Sequence, residues 1–444
     1  MAPPPPPFPS PDLPQSSASA PTPLWAVLAF TFLNSIGSAI IYQGIFFIAR
    51  EGYGFGPAER FGLGLVYGLT YIPGAIFIGP LLRRLARARS ITPRTVLALI
   101  MFLMAALCWL PSLAQQLAGE LAPVTETSPS TLAAKVSGAW SIWVLIALYS
   151  PLSGAMWPMV EAFLAGGRSD HQLRSATGKF NVCWAGALVV SLPIIGPIIE
   201  RDALLSMQGL SLVHILAAAV LLRTFTPRPG KHAHHEHIPH PPVYTQLLTF
   251  LRILLPTAFL FISTLSPYLP GALGALGIET RLATTIASTW LLTRVFTFIA
   301  MERWHGWHGK WSTVIWGGGI LVVSFAITVL APLLLPKAAA LTVIILALAA
   351  LGVGIGIIYC SALYYAMEVG AAEVDAGGVH ETLIGIGYSV GPACGIAAIA
   401  IADSRLTPAM AYEPVMALLV CLIALAAAAF GLHIARRAAG QPKA

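Results

Sequence analysis

Residues 340 to 366 read ALTVIILALAALGVGIGIIYCSALYYA, a run without one Asp, Glu, Lys, Arg or His. A helix needs about 20 mostly apolar residues to cross the bilayer core. Backbone groups in lipid must bond within their own segment, so a run of this kind spans as a helix or not at all. The alternation that would mark a β-barrel strand is absent. Eleven further mostly apolar runs extend outward from this one, over 24–48, 61–82, 92–111, 138–163, 180–199, 205–222, 253–275, 282–301, 312–335, 382–402 and 413–434. The expected fold is an all-α membrane protein of twelve transmembrane helices. Composition agrees: of 444 residues 10% are charged and 57% hydrophobic, and mean hydropathy is +0.78. An ordinary soluble domain is roughly a quarter charged, so a soluble enzyme with a single anchor is excluded.

The formal charge of +7 does not point to nucleic acid, because the Lys and Arg residues fall in short clusters between the apolar runs, where they set topology. With both termini in the cytoplasm, seventeen lie inside: Arg83, Arg84, Arg87, Arg89, Arg94, Arg168, Arg174, Lys179, Arg223, Arg228, Lys231, Arg252, Arg303, Lys310, Arg436, Arg437 and Lys443. Seven lie outside: Arg50, Arg60, Lys135, Arg201, Arg281, Lys337 and Arg405. Arg294 alone remains within a span. The expected location is the cell membrane, multi-pass, with both termini cytoplasmic and lipid around the apolar faces.

The spans divide six and six. Residues 1–23, with ten prolines and neither Lys nor Arg, form a Pro-rich tail without the basic start of a signal peptide and are expected to be disordered. Residues 24–222 form the first six-helix bundle, 223–252 a His-rich cytoplasmic linker, 253–434 the second bundle and 435–444 a basic cytoplasmic tail. His232, His234, His235, His237 and His240 follow no defined metal-ligand spacing, so the linker is expected to be solvated, and no metal site or cofactor is expected. Cys108, Cys183, Cys360, Cys394 and Cys421 lie in apolar runs as small core residues.

Gly79-Pro80-Leu81-Leu82-Arg83-Arg84-Leu85-Ala86-Arg87-Ala88-Arg89 lies between spans two and three. Glu302-Arg303, followed by Trp304-His305-Gly306-Trp307-His308-Gly309-Lys310, lies between spans eight and nine. With twelve spans in a six-plus-six order, these segments resemble the major facilitator superfamily, whose signature there is Gly, an Asp-Arg pair, then Gly and basic residues. The first copy keeps the basic half but carries Arg83 at the acidic position and Ala86 at the second glycine. The second copy supplies an acid, its basic partner and two glycines. The resemblance implies two pseudo-symmetric bundles, with ion-pair clusters that hold them together in one state and release them in another. It makes Glu302, Arg303, Arg83 and Arg84 gating candidates.

An echo links the halves. Gly154 to Glu161 in span four resembles Ser361 to Glu368 in span ten, and each places an aromatic, Trp157 or Tyr364, four residues before a Glu. That spacing puts both side chains on one helix face, and adds Glu161 and Glu368 to the gating candidates. Span eleven opens with His380 and Glu381, a gating or proton-transfer pair or a helix cap, and then runs through Gly385, Gly387, Gly391 and Gly395, small residues that permit close helix approach.

Arg294 sits about midway through span eight, where an ionised side chain costs about 2.5 to 3.5 kcal/mol or more unless it faces water or a partner. Its nearest acid along the chain, Glu302, is eight residues on, roughly 12 Å along a helix, too far to pair. Arg294 is therefore expected to face a cavity, with Trp290 one turn earlier. Asn34, Ser38 and Tyr42 at helical spacing, Tyr67 and Tyr71, and Trp157 and Tyr364 complete the cavity candidates. His214 in span six is expected to be bonded within the bundle.

A secondary transporter moving a small organic solute by alternating access, as a monomer and with or without a coupling proton, is the leading function. The alternatives are a membrane-embedded enzyme acting on lipid-like substrates, and a transporter-fold sensor. The enzyme lacks its residues: there is no Asp-rich metal motif, no His-Glu-x-x-His pair and no GxxxxGK[ST] phosphate loop. ATP-driven transport falls on the same ground.

Overall fold

The computed structural model describes residues 21–89, 91–121, 138–168, 170–230, 241–369, 374–404 and 411–439. The linker histidines and the far N- and C-terminal tails lie outside that set. Among the described residues the only regular structure is helical, and twelve helices are long and apolar enough to cross a membrane. They are α1 (Leu24–Tyr53), α2 (Pro57–Arg87), α3 (Pro93–Ala118), α4 (Trp140–Ala165), α5 (Ser175–Arg201), α6 (Leu205–Thr224), α7 (Pro242–Ala275), α8 (Thr280–Arg303), α9 (Trp311–Leu334), α10 (Lys337–Ala366), α11 (Gly377–Ala402) and α12 (Tyr412–Arg437).

Several helices outlast their apolar runs. The helix containing α2 continues to Arg89, so the basic stretch Arg83 to Arg89 is helical rather than a loop. At 1.5 Å per residue its 33 residues reach roughly 50 Å, well beyond a 30 Å hydrocarbon core. α7 likewise begins at Pro242, where a proline's missing N–H costs nothing at a first helical position, so its first turns occupy the end of the segment read as linker. Hydropathy marks where lipid ends, whereas the backbone ladder continues until a breaker stops it. The turn between α8 and α9 shows such a breaker. Gly309 has φ +70°, a region glycine enters without strain. The turn is pinned by the Trp307 indole donating to the Met301 carbonyl (3.0 Å) and the Gly309 N–H donating to the Tyr365 hydroxyl (2.7 Å).

Each half packs its own helices: α1 against α5 and α6, α2 against α4 and α3 against α6 in the first, and α7 against α10, α11 and α12, α8 against α10 and α9 against α10 in the second. The halves meet along α2, α4 and α11 on one side and along α5 and α8 on the other. At the first seam, a Cβ on Gly68 of α2 would collide with the backbone of Tyr388 and Ser389 on α11. Only a residue without a side chain permits that approach. Ser263 of α7 donates to the Gly387 carbonyl (2.9 Å), and Tyr268 to the Val329 carbonyl (3.1 Å). Those two side chains serve helix packing. His214 pairs through Nε2 with the Tyr149 hydroxyl (2.8 Å), fully buried within the first bundle.

On the face opposite the linker, polar contacts bridge the halves. The Arg50 guanidinium donates to the Pro270 carbonyl (2.6 Å), the Thr280 hydroxyl to Glu51 (2.8 Å) and the Arg281 N–H to Glu200 (2.8 Å). At the linker face, Arg168 caps the end of α4 by donating to the carbonyls of Leu164 (2.6 Å) and Phe163 (3.1 Å), and reaches the Thr22 carbonyl (2.6 Å) before α1.

Candidate functional site

Between the halves lies a cavity of about 670 Å³, lined from α1, α2, α4 and α5 on one side and α7, α8, α10 and α11 on the other. α1 contributes Ser38 and Tyr42, and it carries a π-helical turn over Ile40–Gly44, an irregularity that re-aims the side chains it holds and recurs at functional sites. α2 contributes Tyr67 and Tyr71, α4 Trp157 and Glu161, α5 Phe180 and Trp184, α8 Trp290 and Arg294, α10 Tyr359, and α11 Glu381 and Tyr388.

Arg294 is 1% exposed. Its Cζ lies 4.3 Å from the ring centroid of Trp184 and 4.7 Å from that of Trp290, so the guanidinium has an indole from each half within cation–π range. The faces of the rings attract the charge without using its N–H groups. Among the described residues, Nε and Nη2 have no hydrogen-bond partner. A buried guanidinium left with unused donors is costly, because each forfeits the hydrogen bonds it made in water. The cavity supplies the space where an acceptor would restore them.

The carboxyl groups occupy the same space. The Tyr71 hydroxyl donates to Glu381 Oε2 (2.5 Å), linking α2 to α11. Glu381 is 6% exposed, and Glu161 is half-buried. Tyrosine rings surround this part: Tyr42 and Tyr388 at 4.4 Å between centroids, Tyr67 and Tyr388 at 5.4 Å, Tyr71 and Tyr388 at 5.5 Å.

Ser38, Tyr42, Tyr71, Trp157, Trp290 and Arg294 thus converge on one cavity. Asn34 does not reach it. That residue is buried one turn away, its amide donating to the Phe30 carbonyl (3.0 Å). Tyr364 stands at a second cavity, of about 700 Å³, with Asn181, Glu302, His305 and His308. An aromatic layer lies between the two: Phe298, which lines the second cavity, sits 6.0 Å from Trp184 and 5.7 Å from Tyr359, which line the first.

The gating candidates separate. Glu161 and Glu381 face the central cavity. Glu302 lies at the linker-side cavity, its carboxylate against Gly178 of the other half, and Arg303 and Lys179 share an adjoining groove. Arg83 and Arg84 are exposed at the end of α2. The half-buried His380 ring is 5.8 Å from that of Tyr359, and the side chain of Glu368 lies outside the described set. Sequence reasoning missed Tyr359 and Tyr388 and gave Trp184 no specific role. The one available signal was Glu381, Ile384 and Tyr388 at spacings of three and four on a single helix face. Among the described residues no cluster of three His, Cys, Asp or Glu side chains is placed to hold a metal.

No protein-family model matches the chain, and no curated protein matches it. Among the solved structures that resemble it are two of one transporter that match it along nearly its whole length. A point mutant of the nucleoside transporter NupG superimposes with a TM-score of 0.61 at 11% identity, covering 93% of this chain and 99% of that one. Unmutated NupG gives a TM-score of 0.55 at 9% identity, covering 94% and 99%. At such identity the likeness establishes the fold alone: twelve membrane-crossing helices, as the resemblance to the major facilitator superfamily implies.

Proposed function

We propose that the chain is a secondary transporter that carries a small organic solute by alternating access, its two six-helix halves rocking about the central cavity. One observation carries the reading: a fully buried arginine with unused donors faces a cavity built equally from both halves. The solute is flat enough to lie against the indole and phenol rings and presents an anionic or strongly accepting group to Arg294. NupG, of the same fold, is a nucleoside transporter, which makes nucleosides one class to try. The contacts Arg50–Pro270, Glu51–Thr280 and Glu200–Arg281 close the face away from the linker, and Glu302 and Arg303 control the linker-side mouth. The seventeen-to-seven charge bias supports an orientation with both termini in the cytoplasm.

The test requires no knowledge of the solute. Ser38→Cys is made in a chain whose five cysteines are replaced, and is probed with a membrane-impermeant thiol reagent in right-side-out and in inverted vesicles. Alternating access requires labelling from both faces. Labelling from one face alone, or from neither, refutes the reading.

A further inference from the structure

Resting on that transporter reading, the structure assigns the solute a second recognition pole: we infer that Glu161 and Glu381 bind an ammonium group while Arg294 binds a carboxylate, so the carried molecule is an aromatic zwitterion. Two acidic side chains alone would not carry this. The independent observation is Arg294, 1% exposed, whose Nε and Nη2 lack partners among the described residues and which lines the same cavity.

The carboxyl groups converge from opposite halves. A Cβ on Gly377 would stand 2.7 Å from Glu161 Oε2, so the Glu161 carboxyl of α4 rests on the α11 backbone. Glu381 lies four residues on, hence on the same helix face one turn away. An ammonium has three donors and no acceptor. Glu381 gives one oxygen to Tyr71, and its other oxygen together with Glu161 supplies acceptors. The guanidinium offers the reverse, donors only, in a planar fork matched to a carboxylate. A group accepted at one pole is repelled at the other, so orientation is built in. Between the poles the walls are aromatic, with Trp184 and Trp290 beside Arg294 and Tyr388 beside Tyr71. A solute body of one aromatic ring system suits them.

The experiment measures thermal unfolding of the purified full-length protein with L-tryptophan, tryptamine, indole-3-propionate and uridine, each at millimolar concentration. A ligand that binds only the folded state raises the midpoint with its concentration. L-Tryptophan is expected to stabilise. Tryptamine and indole-3-propionate, each missing one charged contact, should bind roughly tenfold more weakly or worse. Glu381→Gln and Arg294→Gln should each abolish the L-tryptophan shift, and Glu161→Gln provides the same measurement if Glu381→Gln does not fold. Several outcomes overturn the inference: no shift with L-tryptophan, an equal shift with either truncated compound, a larger one with uridine, or a shift retained in the folded glutamine variants. An indole-3-propionate response equal to that of L-tryptophan would mean the carboxyl groups hold something other than the ligand. A uridine response with two-sided Ser38→Cys labelling would leave the transporter standing and remove only the zwitterion.

Discussion

Arg50→Ala should loosen the closed face opposite the linker without touching the cavity. Arg50 Nη1 donates to the Pro270 carbonyl of α7 at 2.6 Å, a contact between the two halves. Hydrogen bonds with a charged partner contribute about 1.5 to 3 kcal/mol. The side chain is 33% exposed, so solvent screening places this one near 1.5 kcal/mol. The neighbouring Arg50–Glu51 pair, 3.5 Å apart and equally exposed, adds little. A loss of about 1.4 kcal/mol changes a two-state ratio tenfold. If the contact exists in the closed state only, labelling of Ser38→Cys from that face should accelerate about tenfold. Gly274→Val provides an independent route to the same end, because a Cβ there would occupy the place of the Arg50 guanidinium. Unchanged labelling rates in both variants, each folded, would refute the claim that this contact holds the halves closed.

Other perturbations probe other parts of the argument. Gly68→Val should splay α2 from α11, costing about 1 to 3 kcal/mol as overpacking does, seen as a lower unfolding midpoint; an unchanged midpoint would show that the seam is looser than drawn. Trp184→Ala removes one ring from the Arg294 pair and should weaken ligand binding several-fold, in line with a cation–π contact of about 1 to 2 kcal/mol, measured by titration of the purified protein. Arg168→Ala deletes the cap on α4 and the tie to Thr22, and should destabilise by on the order of 2 kcal/mol in thermal unfolding, with solute affinity unchanged. Reporter fusions at Gly440 should be active only for cytoplasmic reporters; activity on the far side would overturn the orientation.

Residue order alone determined that this is a bundle of membrane helices. Runs such as 340–366 satisfy the backbone only as helices, and lipid imposes that condition on each span separately, so twelve spans are countable without knowing how they pack. The same logic flagged Arg294, because the cost of a charge at mid-span is set by depth, a one-dimensional quantity. The residues that surround Arg294 were not legible in the same way. Trp184 is 110 positions from Arg294 in the chain, and Tyr388 lies more than 300 from Tyr67 and Tyr71. Hydropathy says nothing of which apolar face turns toward which helix. Asn34 illustrates the limit: it shares a helical stripe with Ser38 and Tyr42, yet it lies one turn beyond the cavity and its amide is bonded to its own helix. Glu161 and Glu381 read as gating candidates because both lie near the edge of an apolar run. Only the packing of α4 and α11 on α2 brings them into the cavity with Tyr71. The seam that does this depends on Gly68 lying against the backbone of Tyr388 and Ser389, a steric fit between distant segments that no local pattern encodes.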